Sequence, residues 1–362
     1  MSSHLERLFS HYYLPLPAME LYKSKFLPPE WYPQSGVMLT WPHAKSDWAY
    51  LLGEVEACFI LIANEILKEE KLIVICSDPD DVALKIDQSL AGNLFLVQLD
   101  SNDTWARDHG PVTVMVDGTP ELYDFQFNGW GLKFPAWLDN QINVQLFNAG
   151  IFAKNVRYNN CLNFVFEGGS FDTDGLGTML TTEACLLSKN RNQKMSKREI
   201  ELYLIETFEL QRILLLSAGY LAGDDTDSHI DTLARFCHEK CIAYVKCSDP
   251  SDEHYLQLKQ MEEEIRSFKT LDGKPYDLIE LPMADYVEDE TGARLPATYA
   301  NFLIINNKVL MPFYSTVKDE IARMSLQKAF PDREVVGIEC STLIKQHGSL
   351  HCVTMQLPFG VI

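Results

Sequence analysis

A recurrence constrains this chain more than any other feature. Five short segments set acids, histidines, a cysteine and a tryptophan beside glycine or a strand end. They are Trp105-Ala106-Arg107-Asp108-His109-Gly110-Pro111, Phe166-Glu167-Gly168-Gly169-Ser170, Asp224-Asp225-Thr226-Asp227-Ser228-His229-Ile230-Asp231, Pro296-Ala297-Thr298-Tyr299-Ala300-Asn301 and His347-Gly348-Ser349-Leu350-His351-Cys352. Asp108 and Glu167 are 59 residues apart, Glu167 and His229 are 62 apart, and His229 and Cys352 are 123 apart, so the mean step is 61. One step before Asp108 lies Asp47, inside Trp41-Pro42-His43-Ala44-Lys45-Ser46-Asp47-Trp48. Such a period over 362 residues means about five units. Units that bury a face only against their neighbours can close into a ring, which brings one loop of each unit to a common axis.

The local patterns agree with repeated α/β units. Val55, Phe59, Ile62 and Ile66 mark a helix over about 51–70, and the apolar run Lys71–Cys76 follows as a buried strand. Helices are also expected over about 251–269, through Leu258, Met261, Ile265 and Phe268, and near 317–329. Strand pairs are expected at Val112–Val116 with Leu122–Phe127, Leu233–Cys237 with Cys241–Lys246, and Phe302–Ile305 with Val309–Phe313, the last joined by a tight turn at Asn306-Asn307. The order is two strands, a helix, a strand. Cys76-Ser77-Asp78-Pro79 and Cys247-Ser248-Asp249-Pro250 each read as a strand end followed by a helix start, with Asp as cap and Pro in the first turn. No proline-rich, serine-rich or single-charge linker divides the chain, so residues 1–362 are expected to form a single domain, with roughly 1–30 as an N-terminal extension.

Composition narrows the partners. With 31 Lys and Arg against 51 Asp and Glu the net charge is −20, a balance that repels phosphate backbones and anionic lipid and attracts cations. Nucleic acid and membrane are therefore not expected as partners. No apolar run approaches the roughly 20 residues of a bilayer span. The first residues lack the pattern of a signal peptide, and nine cysteines without regular spacing suit reduced thiols, so a cytoplasmic protein is expected. Cys237, His238, Cys241 and Cys247 lie close in sequence but lack a Cys-x-x-Cys pair, and strand packing explains them better than zinc. No phosphate-binding glycine motif is present. Neither a metal nor an organic cofactor is expected.

What the five segments offer is cysteine, imidazole and carboxylate chemistry. Cys352 beside His351 is a candidate nucleophile, which needs a nearby cation or a cationic substrate to ionise it. His229 titrates where a proton shuttle must, and Asp231, two residues on, points to the same side of an extended segment. Asp108 and Asp231 could face a planar cation from two sides, since a guanidinium presents five N–H donors in a fixed fork. Glu167 could orient His229 or accept a proton, and Trp105 could stack on a flat cation. Taken singly, each has an ordinary structural explanation, such as a packed thiol, a hydrogen-bonded loop or an Arg107–Asp108 pair shaping a turn.

Those residues, together with Pro29-Glu30-Trp31-Tyr32-Pro33, Gly223-Asp224-Asp225-Thr226-Asp227, Tyr299-Ala300-Asn301-Phe302 and His351-Cys352-Val353-Thr354, make the chain resemble the agmatine deiminase and bacterial-type peptidyl-arginine deiminase family along nearly its whole length. The resemblance implies a five-bladed α/β propeller of ββαβ units with the active site on the central axis. It implies hydrolysis of agmatine to N-carbamoylputrescine and ammonia through a covalent thiouronium on Cys352, with no cofactor. In that scheme His229 is the general acid/base, Glu167 the acid beside it, Asp108 and Asp231 the guanidinium-holding carboxylates, and Trp105 the aromatic wall. Asp225 is the candidate for the distal ammonium. Peptidyl-arginine or arginine hydrolysis, amidino transfer, and a non-catalytic polyamine-binding protein are the alternatives, and a homo-oligomer is compatible with all of them. Two departures touch the site: Gln346-His347-Gly348-Ser349 stands where the family has a glycine run with Asn, and Ser228 replaces the usual Gly before the histidine.

Overall fold

A computed structural model describes residues 22–362; most of the expected N-terminal extension lies outside the described residues. The chain opens with β1 (Lys25–Phe26), β2 (Gln34–Thr40), helix α1 (Leu52–Leu67), β3 (Lys71–Cys76) and β4 (Leu94–Gln98). Four groups then repeat one plan. The first is β5 (Val112–Val116), β6 (Thr119–Gln126), α2 (Asp139–Asn148) and β7 (Arg157–Val165), and the second is β8 (Phe171–Thr173), β9 (Thr178–Thr182), α3 (Lys197–Phe208) and β10 (Arg212–Leu216). The third is β11 (Ala234–His238), β12 (Cys241–Lys246), α4 (Tyr255–Ser267) and β13 (Asp277–Pro282), and the fourth is β14 (Leu303–Ile304), β15 (Lys308–Phe313), α5 (Lys318–Gln327) and β16 (Glu334–Glu339). The strand β17 (Thr354–Pro358) follows.

In each group the first two strands pair antiparallel and the third lies parallel to the second, which requires the intervening helix as a crossover. The result is five small mixed sheets. The fifth is made from both ends of the described chain: β17 pairs antiparallel with β2, and β2 runs parallel to β3. β1 adds to the edge of β5. Helix α1 turns Val55, Phe59, Ile62 and Ile66 into the core, as its periodicity requires, and α4 does the same with Leu258, Met261 and Ile265. Asp78 caps the short helix that starts at Pro79 through the Asp81 amide, as expected. Its sequence twin differs: Asp249 accepts from the Ser251 amide and closes a local turn, and α4 starts only at Tyr255, because the Asp side chain is already spent on that turn.

The topology explains the period. Each of the five polar segments comes immediately ahead of the first strand of a sheet unit, namely β5, β8, β11, β14 and β17. Asp47 does not fit that rule. It follows β2, the middle strand of the closing sheet, because that sheet takes its first strand from the far end of the chain.

Candidate active site

The five segments meet. The Gly169 amide donates to Asp108 Oδ1 at 3.0 Å, the Arg107 amide donates to the Cys352 carbonyl at 3.1 Å, and Asn301 Nδ2 donates to the Asp231 carbonyl at 3.3 Å. Close approach is what the glycine in the second segment permits. A Cβ on Gly169 would sit 2.6 Å from His229 Nδ1 and 2.9 Å from Asp108 Oδ1.

Cys352 is 5% exposed, with Sγ 3.4 Å from Asn301 Oδ1 and 3.9 Å from Asp231 Oδ2. Burial, and then the carboxylates of Asp231 and Asp108, push its thiol well above the ordinary cysteine range. His229 is buried with Nδ1 3.7 Å from Asp108 Oδ1 and Nε2 3.5 Å from Glu167 Oε2. Burial works against its charge, but the Asp108 carboxylate, followed by Cys185 and Glu167, carries the imidazole well above its usual value. Neither of its ring nitrogens has a hydrogen-bond partner. Each is close enough to a carboxylate to feel the charge and remains free to exchange a proton.

The acids are held differently from one another. Glu167 accepts from Arg191 Nε at both carboxylate oxygens, at 2.8 and 2.9 Å, and from Cys185 Sγ at 3.9 Å; burial raises its carboxyl, and Arg191 and His229 bring it below the usual range. Asp231 accepts from His351 Nδ1 at 2.8 Å, while its Oδ1 is buried and unpartnered. Burial is again outweighed, here by His351, and the carboxyl is lowered. Asp108 accepts from Trp130 Nε1 at 2.9 Å and from Gly169, and burial leaves its carboxyl raised against the opposing pull of His229. The site thus brings together the Asp108, Glu167 and Asp231 carboxylates, the His229 imidazole and the Cys352 thiol, and Asp231 Oδ1 among them has no partner in the described residues.

A cleft of about 430 Å³ opens onto Cys352 and Asp108. Trp105, Trp130 and Phe134 form its apolar walls, and Asp47, Asp103 and Asp225 line it as acids, with Thr226, Gln346, His347 and Gly348 completing the rim. Trp105 stands edge to face with Trp130 at 6.1 Å and donates through Nε1 to Asp103 at 2.9 Å. Burial raises the Asp103 carboxyl to about 6. Gly348 lets the nucleophile loop pass the Trp105 ring, since a Cβ there would lie 2.1 Å from a ring carbon. Among the described residues no lysine or arginine lines this cleft. Arg235 is buried against Asp172 and Glu30, and Arg294 pairs with Asp252 and Glu253.

Both departures from the family pattern fall where the backbone favours glycine. Ser228 has φ +67°, its neighbour Asp227 +66°, and His347 +66°. Left-handed backbone costs a residue with a Cβ about 1–2 kcal/mol. Fixed partners hold it here: the Ser228 amide donates to Asp224 Oδ2 at 2.7 Å, Asp227 is clamped by Arg191 at 2.6 Å and Lys133 at 2.8 Å, and His347 Nδ1 lies 2.8 Å from the Gly223 carbonyl.

Several residues that shape the site carry no sequence prediction. Asn301 Oδ1 accepts from the amides of His351 and Cys352 at 2.8 and 3.3 Å and fixes the nucleophile loop. His351 bridges Asp231 and Glu30, with Nε2 2.7 Å from Glu30 Oε2. Glu30 also meets Arg235 at 3.0 Å and Arg107 at 3.4 Å. These stood inside noted motifs, but their partners lie far away in sequence and no spacing signal joins them. The cysteines near Cys237 behave as expected of a hairpin, with His238 opposite Cys241 in the strand register.

Residues 26–358 match the model of the Porphyromonas-type peptidyl-arginine deiminase family. The chain belongs to that family. Members include agmatine deiminases, and its chemistry is the modification of guanidino groups. A "Putative agmatine deiminase" of Vibrio parahaemolyticus is 34% identical over 353 residues, covering 92% of this chain and 96% of the relative. The crystal structure of the "Putative Arginine Deiminase" from Porphyromonas gingivalis is similar at 53% identity, TM-score 0.90, over 93% of this chain and 99% of that one. The agmatine deiminase of C. jejuni, solved as a C315S variant with substrate bound, is 38% identical with TM-score 0.86, over 93% and 97%. Among the described residues no helix is long and apolar enough to cross a membrane.

Proposed function

We propose that this family member is an agmatine deiminase of one catalytic domain, its five sheets set as propeller blades around the hub. The observation that carries the substrate is the cleft itself: aromatic walls, acids at Asp47 and Asp225, and among the described residues that line it no lysine or arginine to receive an α-carboxylate. Agmatine ends in an ammonium alone where free arginine carries a carboxylate beside its ammonium, and this rim suits the cation and repels the carboxylate. Arginine or an arginyl peptide is the alternative favoured by the name of the Porphyromonas gingivalis relative.

In the proposed reaction the guanidinium is held in its plane by Asp108 and by the free Oδ1 of Asp231, with its central carbon presented to Cys352. In the empty site the thiol is kept protonated by burial and by those carboxylates. A bound guanidinium cancels their field, so the substrate assists ionisation of its own nucleophile. The thiolate adds to the central carbon, and His229 gives its proton to the departing nitrogen, which leaves as ammonia. Glu167, fixed by Arg191, keeps the imidazolium charged until that step. His229 then takes a proton from water, the hydroxide attacks the thiouronium carbon, and the C–S bond breaks to release N-carbamoylputrescine.

Ammonia release measured with agmatine, free arginine and an arginyl peptide tests the reading. Turnover of agmatine with kcat/KM at least about tenfold above arginine is expected; a preference for arginine or the peptide would refute the assignment.

A further inference from the structure

Cys185 has no part in that reaction, yet it lies in the hub. It is buried at the end of the β9 unit's hairpin, in the short helix Glu183–Leu186 that Thr182 caps. Its Sγ is 3.9 Å from Glu167 Oε2, the same oxygen that lies 3.5 Å from His229 Nε2. One donor atom from each of Glu167, Cys185 and His229 falls within 4.8 Å of the other two. A tetrahedral zinc with bonds of about 2.0–2.3 Å keeps its donors about 3.3–3.8 Å apart, so the observed triangle is close to three corners of such a site.

Three independent features point the same way. Both ring nitrogens of His229 are buried without a hydrogen-bond partner. Glu167 is already oriented by two bonds from Arg191 Nε, as outer partners orient the carboxylate ligands of metal sites. A mixed S, N, O set favours zinc and its borderline relatives over magnesium or calcium, which prefer oxygen alone.

We propose that Glu167, Cys185 and His229 form a binding site for a thiophilic divalent metal of the zinc class. The metal–sulfur and metal–nitrogen bonds form as the Cys185 thiol and the His229 imidazolium each give up a proton to solvent, and a water completes the coordination. With a His229 nitrogen ligated, the imidazole cannot protonate the departing nitrogen, so metal and turnover exclude each other. That inhibitory consequence rests on the deiminase reading; the binding does not.

The test therefore reads binding directly. The full chain, stripped of metal by a chelator, is titrated with Co²⁺, which reports thiolate ligation by a sulfur-to-cobalt charge-transfer band and is displaced by Zn²⁺. The band should appear at one equivalent in the native protein and in Cys352→Ser, and should vanish in Cys185→Ser. Cys185→Ala serves if the serine variant fails to fold by circular dichroism. A band absent from native protein, lost in Cys352→Ser or retained without Cys185 overturns the site. In parallel, Zn²⁺ should inhibit ammonia release, with the half-inhibitory concentration raised about tenfold or more by Cys185→Ser. If the protein shows no deimination at all, the cobalt result still stands or falls alone.

Discussion

The two sides of the nucleophile loop are built on opposite principles. On the sealed side, Glu30, Arg107, Asp172, Arg235 and His351 line a second pocket and are all buried, with the acids held by the two arginines and the imidazole. Arg235 donates from Nε to Asp172 at 2.8 Å, lies over the Phe302 ring at 4.9 Å, and reaches Glu30. Despite burial, Arg235 and His351 hold the Glu30 carboxyl far below the ordinary range. On the cleft side, among the described residues, the carboxylates of Asp47 and Asp225 pair with no lysine or arginine, His347 Nε2 lies 3.9 Å from Asp225, and Oδ1 of Asp231 within has no hydrogen-bond partner. One side is complete without a ligand. The other is left with unpaired negative charge, which a guanidinium would meet. The comparison teaches that Asp231 can be both ionised and unsatisfied because His351, held in turn by Glu30, donates to its far side.

Removing the nucleophile has the largest expected effect. Cys352→Ala should lower kcat for agmatine by on the order of 10⁴-fold or more, as loss of a nucleophile does elsewhere. Agmatine should still bind, as isothermal calorimetry would show, because both carboxylates remain. Turnover near the native rate would remove Cys352 from the mechanism.

Next comes the sealed side, where Glu30→Gln keeps shape but not charge. His351 would lose a charge-assisted hydrogen bond of about 1.5–3 kcal/mol, and with it the partner that holds its ring against Asp231. The expected result is a kcat lower by about 10- to 100-fold with KM within a few-fold, plus a lower thermal midpoint from the unbalanced arginines. An unchanged kcat with only KM moved would show that the two sides do not divide the work as described.

What could be read in advance follows this division. The five segments were visible because each precedes the first strand of a unit, so one topological position repeats at one interval. Helices α1, α4 and α5 showed their apolar stripes. α2 did not, since only Ile142 and Leu146 of its apolar side chains reach the core. α3 carries a capping box, Ser196 with Glu199, written in the sequence as Ser-x-x-Glu but set beside a polar stretch that blurs the helix start. The candidate acids and histidine of the cleft side were nameable from residue type. The sealed side was not: Glu30 meets His351 across 321 residues and Arg107 across 77, and long-range ion pairing leaves no periodic trace.

The charge deficit of the cleft side also sets a pH signature. In the free enzyme the thiol is raised by burial and by Asp231 and Asp108, so thiolate accumulates only as pH rises, and kcat/KM should climb through the neutral and alkaline range. A bound guanidinium lowers the thiol toward its ordinary value, so the acid limb of kcat should lie at lower pH than that of kcat/KM, by about 1–3 units. Both profiles should fall again at high pH as His229, itself raised, loses its proton. Superimposable acid limbs would mean that the substrate does not assist the thiol.

The smallest effect belongs to the rim. Asp225 is half exposed, and an exposed ion pair is worth about 0.2–1 kcal/mol. Asp225→Asn should therefore raise KM for agmatine by only about 1.5- to 5-fold and leave kcat unchanged, since the guanidinium end never meets it. The sharper reading is the ratio: both substrates lose the attraction to their ammonium, but only arginine is relieved of a repelled carboxylate, so preference for agmatine over arginine should narrow. KM values unchanged for both substrates would place the distal ammonium elsewhere, with Asp47 the remaining exposed acid of the cleft.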